Sequence, residues 1–164
     1  MNQRYRSTAA LPEGAEEPRY ERDPEMYFQA TTWPGARLPH VWLERDRQRL
    51  SSLDLCGAGR FTLLTGIGGE AWRDAAAAVA TRFALPIAVY TIGPAGCDVQ
   101  DIYADWSRIS EIDEDGCLLV RPDMHVAWRS IAMRREPVDA LEQAVAALLG
   151  WSVVVPTAPQ RVAA

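Results

Sequence analysis

The side chains able to do chemistry in this sequence are few and far apart. Its thiols are Cys56, Cys97 and Cys117, and its imidazoles are His40 and His125. Disulfide exchange needs a thiol of low pKa, commonly in a CxxC at a helix N-terminus, and no CxxC occurs here. Structural zinc needs Cys or His donors in closely spaced pairs, which these five residues do not form. Widely spaced cysteines in odd number read instead as isolated buried thiols, since free Cys packs as a small hydrophobe. All seventeen basic residues are Arg, so lysine Schiff-base chemistry is excluded.

Other constellations fare no better. Gly66, Gly68 and Gly69 separate an apolar stretch from an amphipathic one, the place where nucleotide-binding proteins cradle phosphate. Their spacing fits neither GxGxxG nor GxxxxGK followed by Ser or Thr, and Glu70 beside them would repel phosphate. A structural bend is the expectation. The acids Asp98, Asp101, Asp105, Glu111, Asp113, Glu114 and Asp115 match no calcium loop and read as a solvated face. His125 has Asp123 two residues away, but no Ser or Cys nucleophile stands near it in sequence.

The elements that would position these groups follow from periodicity. Val41–Glu44 and Ser51–Leu55 read as strands of a hairpin about the polar turn 45–48. Arg60–Thr65 is a strand whose near-continuous apolar run implies cover on both faces. Glu70–Ala84 follows as a helix, with Trp72, Ala75, Ala76, Val79, Ala80 and Phe83 on one face. Pro86–Ile92 is rich in β-branched residues and completes a βαβ unit with parallel strands. Asp101–Ile109 reads as a short helix. Cys117–Val120 and His125–Trp128 flank the turn Arg121-Pro122-Asp123-Met124 as a second hairpin. Pro137–Leu149 is a helix with Val138, Leu141, Val145 and Leu148 in one stripe. This order predicts an α/β thioredoxin-like fold, a central mixed sheet flanked by helices, without the CxxC and without a proline at Gly116, just before the first strand of the second hairpin.

Residues 1–40 lack periodicity and read as an extended arm, residues 41–151 as the domain and 152–164 as a loose tail. The arm carries Tyr5, Tyr20, Tyr27, Phe28 and Trp33, too many aromatics for a solvated tail, so parts of it are expected to lie on another surface. The chain of 164 residues, 48% hydrophobic and 24% charged, is long enough for a true core. A net charge of −5 with scattered arginines argues against nucleic acid as a partner. No apolar run approaches the roughly 20 residues of a membrane span, and the first residues lack a signal-peptide core, so a cytoplasmic location is expected.

Three stretches taken together, PGARLPHVWL at 34–43, LDLCGAGRFTLLTGIGGEAW at 53–72 and LLVRPDMHVAWR at 118–129, resemble the C-terminal part of the FAD-dependent aromatic hydroxylases, the phenol and polyketide monooxygenase group. RYRSTAA at 4–10 resembles the segment by which such enzymes leave their FAD domain. The resemblance implies a thioredoxin-like domain without redox cysteines. It places FAD on a partner or preceding domain, and carries over no catalytic, cofactor or metal residue to this chain. A separate subunit, a remnant and a fragment all remain open.

The expectation is therefore a non-catalytic part of an aromatic-ring monooxygenase that assembles with an FAD-binding partner or forms a homodimer. Its partner interface is expected at Trp33, Pro34, Gly35, Arg37, Pro39 and His40, with Arg37 and His40 as polar anchors and Trp33 as the apolar one. An independent redox protein using Cys56 or the turn 66–70, and a small-ligand module between sheet and arm, stay open as alternatives.

Overall fold

A computed structural model describes residues 2, 4–12 and 16–151. The expected tail at 152–164 lies outside the described residues.

The chain forms β1 (Trp42–Arg45), β2 (Gln48–Ser51), β3 (Phe61–Thr65), α1 (Glu70–Phe83), β4 (Ile87–Gly93), β5 (Val99–Gln100), α2 (Asp105–Ile109), β6 (Cys117–Val120), β7 (Val126–Ser130) and α3 (Pro137–Leu148). One mixed sheet runs in the order β2-β1-β5-β4-β3-β6-β7. β3 is parallel to β4, and β4 to β5, while every other pair is antiparallel.

The strand pattern separates two cores, because successive side chains point to opposite faces. Leu63, Cys117 and Leu119 face α1 and α3, where they meet Trp72, Val79, Leu141 and Val145. Leu64, Leu118, Val120 and Ile92 face the other way, toward Trp106 of α2 and toward Leu38, Val41 and Leu43. The expected double coverage of β3 is thus met, with one helical layer and one layer built largely from irregular segments.

The first hairpin departs from the expectation. Its turn is only Asp46-Arg47, both with positive φ (53° and 62°), the geometry that matches strand twist in a two-residue loop. The second strand ends at Ser51, and Ser52–Leu55 winds into a 3-10 turn. Ser51 Oγ accepts from the Leu53 amide at 3.1 Å while Asp54 Oδ2 accepts from the Ser51 amide at 2.7 Å. This reciprocal cap makes helix the better solution for a segment whose apolar residues also suited a strand.

α2 is likewise shorter than read. Asp101 stands outside it, and its carboxylate accepts from the amides of Asp105 and Ser107 at 3.1 Å. The short β5, pairing with β1 and β4, was not anticipated because two residues carry no periodic signal. β7 begins one residue later than expected, and the pairing shifts register between Leu119 and Val120.

Candidate functional site

The glycine turn after β3 is shaped by packing. A Cβ on Gly69 would lie 1.7 Å from Thr65 Oγ1, and one on Gly66 would lie 2.4 Å from the Glu114 carbonyl oxygen. The Gly68 amide donates to that same carbonyl at 2.9 Å, and Thr65 Oγ1 donates to the Gly116 carbonyl at 2.6 Å. The turn therefore clamps the chain leading into β6. A flavin diphosphate does not fit here, since the Gly68 amide is engaged and the acidic residues Asp113 and Glu114 stand beside the turn.

The thiols are held protonated. Burial pushes Cys56 up to about 11 against the lowering effect of a Thr62 hydrogen bond and Arg60. Burial raises Cys117 further, and raises Cys97 with the help of the Asp98 charge. Asp98 goes the other way: burial would raise it, but the Thr91 amide, the Arg73 guanidinium and nearby Arg45 together hold it below the usual carboxylate range. The His125 Nδ1 contacts the Asp123 carbonyl at 3.0 Å and its ring meets Tyr5 edge-on at 4.9 Å, so its neighbours are arm and turn. Among the described residues, no group of three Cys, His, Asp or Glu could hold a metal ion.

The arm is the second candidate, and the polypeptide itself explains its path. Residues 35–38 run antiparallel to the segment that enters β7, pairing with it through an isolated bridge between Arg37 and His125. The Gly35 amide donates to Val126 O at 2.7 Å, Val126 N to Ala36 O at 2.9 Å and Leu38 N to Met124 O at 2.8 Å. Gly35 has φ of 94° and a Cβ there would strike the Tyr5 carbonyl, so glycine is required. The Leu11 amide extends the cover by donating to Ala127 O at 2.8 Å. The start of an edge that would otherwise expose backbone donors and acceptors is covered.

A partly buried polar latch fixes the arm from the other side. Arg129, only 5% exposed, donates through Nη1 to Thr32 Oγ1 at 2.9 Å and to Glu111 Oε2 at 2.5 Å, and its guanidinium lies 5.3 Å from the Trp33 ring centroid. Glu111 also accepts from Thr31 Oγ1 at 2.9 Å and from the Thr32 amide at 3.1 Å. Thr32 Oγ1 donates to the Ser110 carbonyl at 2.6 Å. Sequence reading missed this latch, because an Arg within VAWRS gives no sign that its strand face will be covered.

Of the six residues expected at a partner interface, Trp33 (5% exposed), Pro34, Gly35 and Pro39 are buried inside their own chain, while Arg37 and His40 are exposed. His40 Nδ1 lies 2.7 Å from Ser51 Oγ, and its ring meets Trp42 edge-on. The arm does expose an apolar group elsewhere: Met26, Tyr27 and Phe28 are 74%, 47% and 62% exposed. Their loop is ordered from behind. The Tyr27 amide donates to Asp23 O at 3.0 Å, Asn2 Nδ2 donates to Tyr27 O at 2.6 Å, and the Gln29 amide donates to Asn2 Oδ1 at 2.8 Å. Farther along, Arg4 stacks 4.2 Å from the Tyr20 centroid and donates to Pro18 O. Glu17 is held below the usual range first by the Arg6 hydrogen bond, then, against burial, by Arg4. Phe28 and Arg37 border one small depression, so the exposed apolar group is continuous with the exposed end of the expected interface.

These features define a two-faced α/β domain that binds its own N-terminal arm and presents part of it outward. The chain belongs to the aromatic-ring hydroxylase C-terminal family, whose model matches residues 31–152. It is 47% identical over 152 residues to a 2,4-dichlorophenol 6-monooxygenase of Cupriavidus pinatubonensis, covering 92% of this chain and 25% of that protein. It is 44% identical to a phenol 2-monooxygenase of Pseudomonas sp., covering 86% of this chain and 23% of the relative. A solved flavin-dependent monooxygenase, PieE in complex with FAD and substrate, superposes with a TM-score of 0.83 at 50% identity, over 91% of this chain and 25% of PieE. The chain thus spans about a quarter of the length of these relatives. Among the described residues, no helix is long and apolar enough to cross a membrane.

Proposed function

We propose that this chain is the non-catalytic, thioredoxin-like C-terminal part of an FAD-dependent aromatic-ring monooxygenase, working in assembly with an FAD-binding part in the cytoplasm. The observation that carries the reading is the match of a C-terminal family model to a chain one quarter the length of its flavoenzyme relatives. The strand order β4-β3-β6-β7, with one parallel and two antiparallel pairs around the α1 crossover, supports the thioredoxin-like assignment. The missing CxxC and the protonated thiols support a role other than disulfide exchange.

In this reading the flavin and the hydroxylating residues lie on the FAD-binding part. Residues 1–40 act as the docking arm and 41–151 as the domain, although Trp33 and Leu38 fold into the domain's own cores and contacts. The partner surface consists of Arg37 and His40 at one end and the Met26–Tyr27–Phe28 loop at the other. Trp33, Pro34, Gly35 and Pro39 support that surface from below. Exposed aromatics beside a polar rim are the composition of a protein contact.

The test is direct. The purified chain is mixed with the flavin-bearing portion of a close relative lacking its C-terminal quarter, and the mixture is followed by sedimentation with detection at the flavin absorbance. Co-sedimentation of flavin with the chain is expected, and its weakening in Phe28→Ser is expected with it. Independent sedimentation at tens of micromolar would falsify the assembly; self-association of the chain alone would favour the homodimer.

A further inference from the structure

The carboxyl ends of the parallel strands β3 and β4 open into a cleft of about 490 Å³, within the range of roughly 300–1,000 Å³ usual for small-molecule sites. Ligands of open α/β sheets lie beyond the carboxyl ends of the strands. The floor is apolar: Trp106 and Ile92 are buried, and Ile67, Pro94 and Ile112 line the walls. Asp101, Asp113 and Glu114 are the ionisable lining residues, and no Arg or His is among them.

Asp101 is committed to the amides that start α2. Asp113 and Glu114 differ, since neither carboxylate has a hydrogen-bond or ion-pair partner among the described residues, although both belong to the segment clamped by the glycine turn. Their backbones are fixed where the side chains are free. The Gly68 amide donates to Glu114 O at 2.9 Å, and the Asp113 amide donates to Ile131 O at 2.7 Å. The cleft therefore joins a recessed aromatic and aliphatic floor to two uncommitted negative charges on a rigid rim.

We propose that this cleft binds a small organic cation, an ammonium or amidinium carried on an apolar body, independently of the arm surface. The body packs on Trp106 and Ile92, and the cation takes the place of solvent beside Asp113 and Glu114. An anion of the same shape is rejected by the same carboxylates.

The experiment is an amide and indole NMR titration of the whole chain with benzamidine, benzamide and benzoate. Benzamidine is expected to shift Ile67, Gly93, Ser107 and the Trp106 indole saturably, on the order of 1 mM, with benzamide weaker and benzoate silent. In the double variant D113N/E114Q, at two exposed positions, benzamidine affinity should fall roughly three- to tenfold with an unchanged melting temperature. Absence of saturable shifts at the cleft overturns the proposal, as does equal binding of all three compounds or an unaltered double variant. A cleft that answers only to an arginine-bearing peptide, and not to benzamidine, would assign it to a protein side chain and overturn the small-ligand reading.

Discussion

The strand-turn-helix of β3 and α1 and the N-terminal arm are both firmly placed, but by opposite means. Around β3 and α1 the contact is dry: Leu63, Trp72, Ala75 and Val79 are fully or almost fully buried against α3 and the sheet. The arm instead is held by backbone pairing at β7 and by the Arg129–Glu111 latch, with its outermost apolar side chains left in water. The difference shows how one chain makes a packed centre and a latched segment with exposed apolar side chains. Dry packing supplies cooperative stability, whereas polar latches hold a segment in register without burying its outermost side chains.

The sharpest way to break the comparison is to remove the centre. Trp72→Ala should lower unfolding free energy by about 3–5 kcal/mol, since it vacates a site with no exposure and removes the hydrogen bond to Asp115 O, and urea denaturation would measure it. Next comes pH. Cys56 binds its proton more tightly in the folded state, with a pKa raised from 9.0 to about 11, so its contribution is complete below pH 9 and declines as pH rises toward 11. The loss should be roughly 2–3 kcal/mol across that window. Denaturation at several alkaline pH values should show a flatter decline in Cys56→Ala than in the parent chain.

Arg129→Met should cost a comparable or smaller amount, about 1–3 kcal/mol, because Glu111 is partly exposed and can be hydrated when its partner is removed. Its signature should be local. Hydrogen exchange at Thr32, Trp33 and Gly35 should quicken well before that of β3 and α1. The smallest effect on stability, within about 0.5 kcal/mol, is expected for Phe28→Ser, which by sedimentation should nevertheless weaken association with the flavin-bearing part about tenfold. Equal stability losses in Trp72→Ala and Phe28→Ser would erase the distinction between centre and surface.

Much of the centre was legible beforehand. The bounds of α1 and β6 follow from apolar spacing and strand composition, and α3 from Pro137 followed by one apolar stripe, because each element carries its own repeating signal. Ser52–Leu55 was misread as strand since a capping box is a side-chain contact that periodicity does not weigh. The arm was legible only as a class. Its aromatics announced contact, but Trp33 turned out to meet Arg129 of its own chain while Phe28 stayed exposed. Nothing within residues 26–33 distinguishes the two, as the distinction lies in strands about a hundred residues away.

The sequence by itself determined the α/β class, the absence of a CxxC or phosphate-binding motif and the membership of the aromatic-ring hydroxylase family, all properties of local pattern and residue type. The tertiary structure alone decided which arm residues face outward, that the glycines serve close packing against Glu114 and Thr65, and that Asp113 and Glu114 flank an apolar cleft. These depend on long-range juxtaposition, where burial and electrostatics arise from residues distant in the chain and leave no local trace.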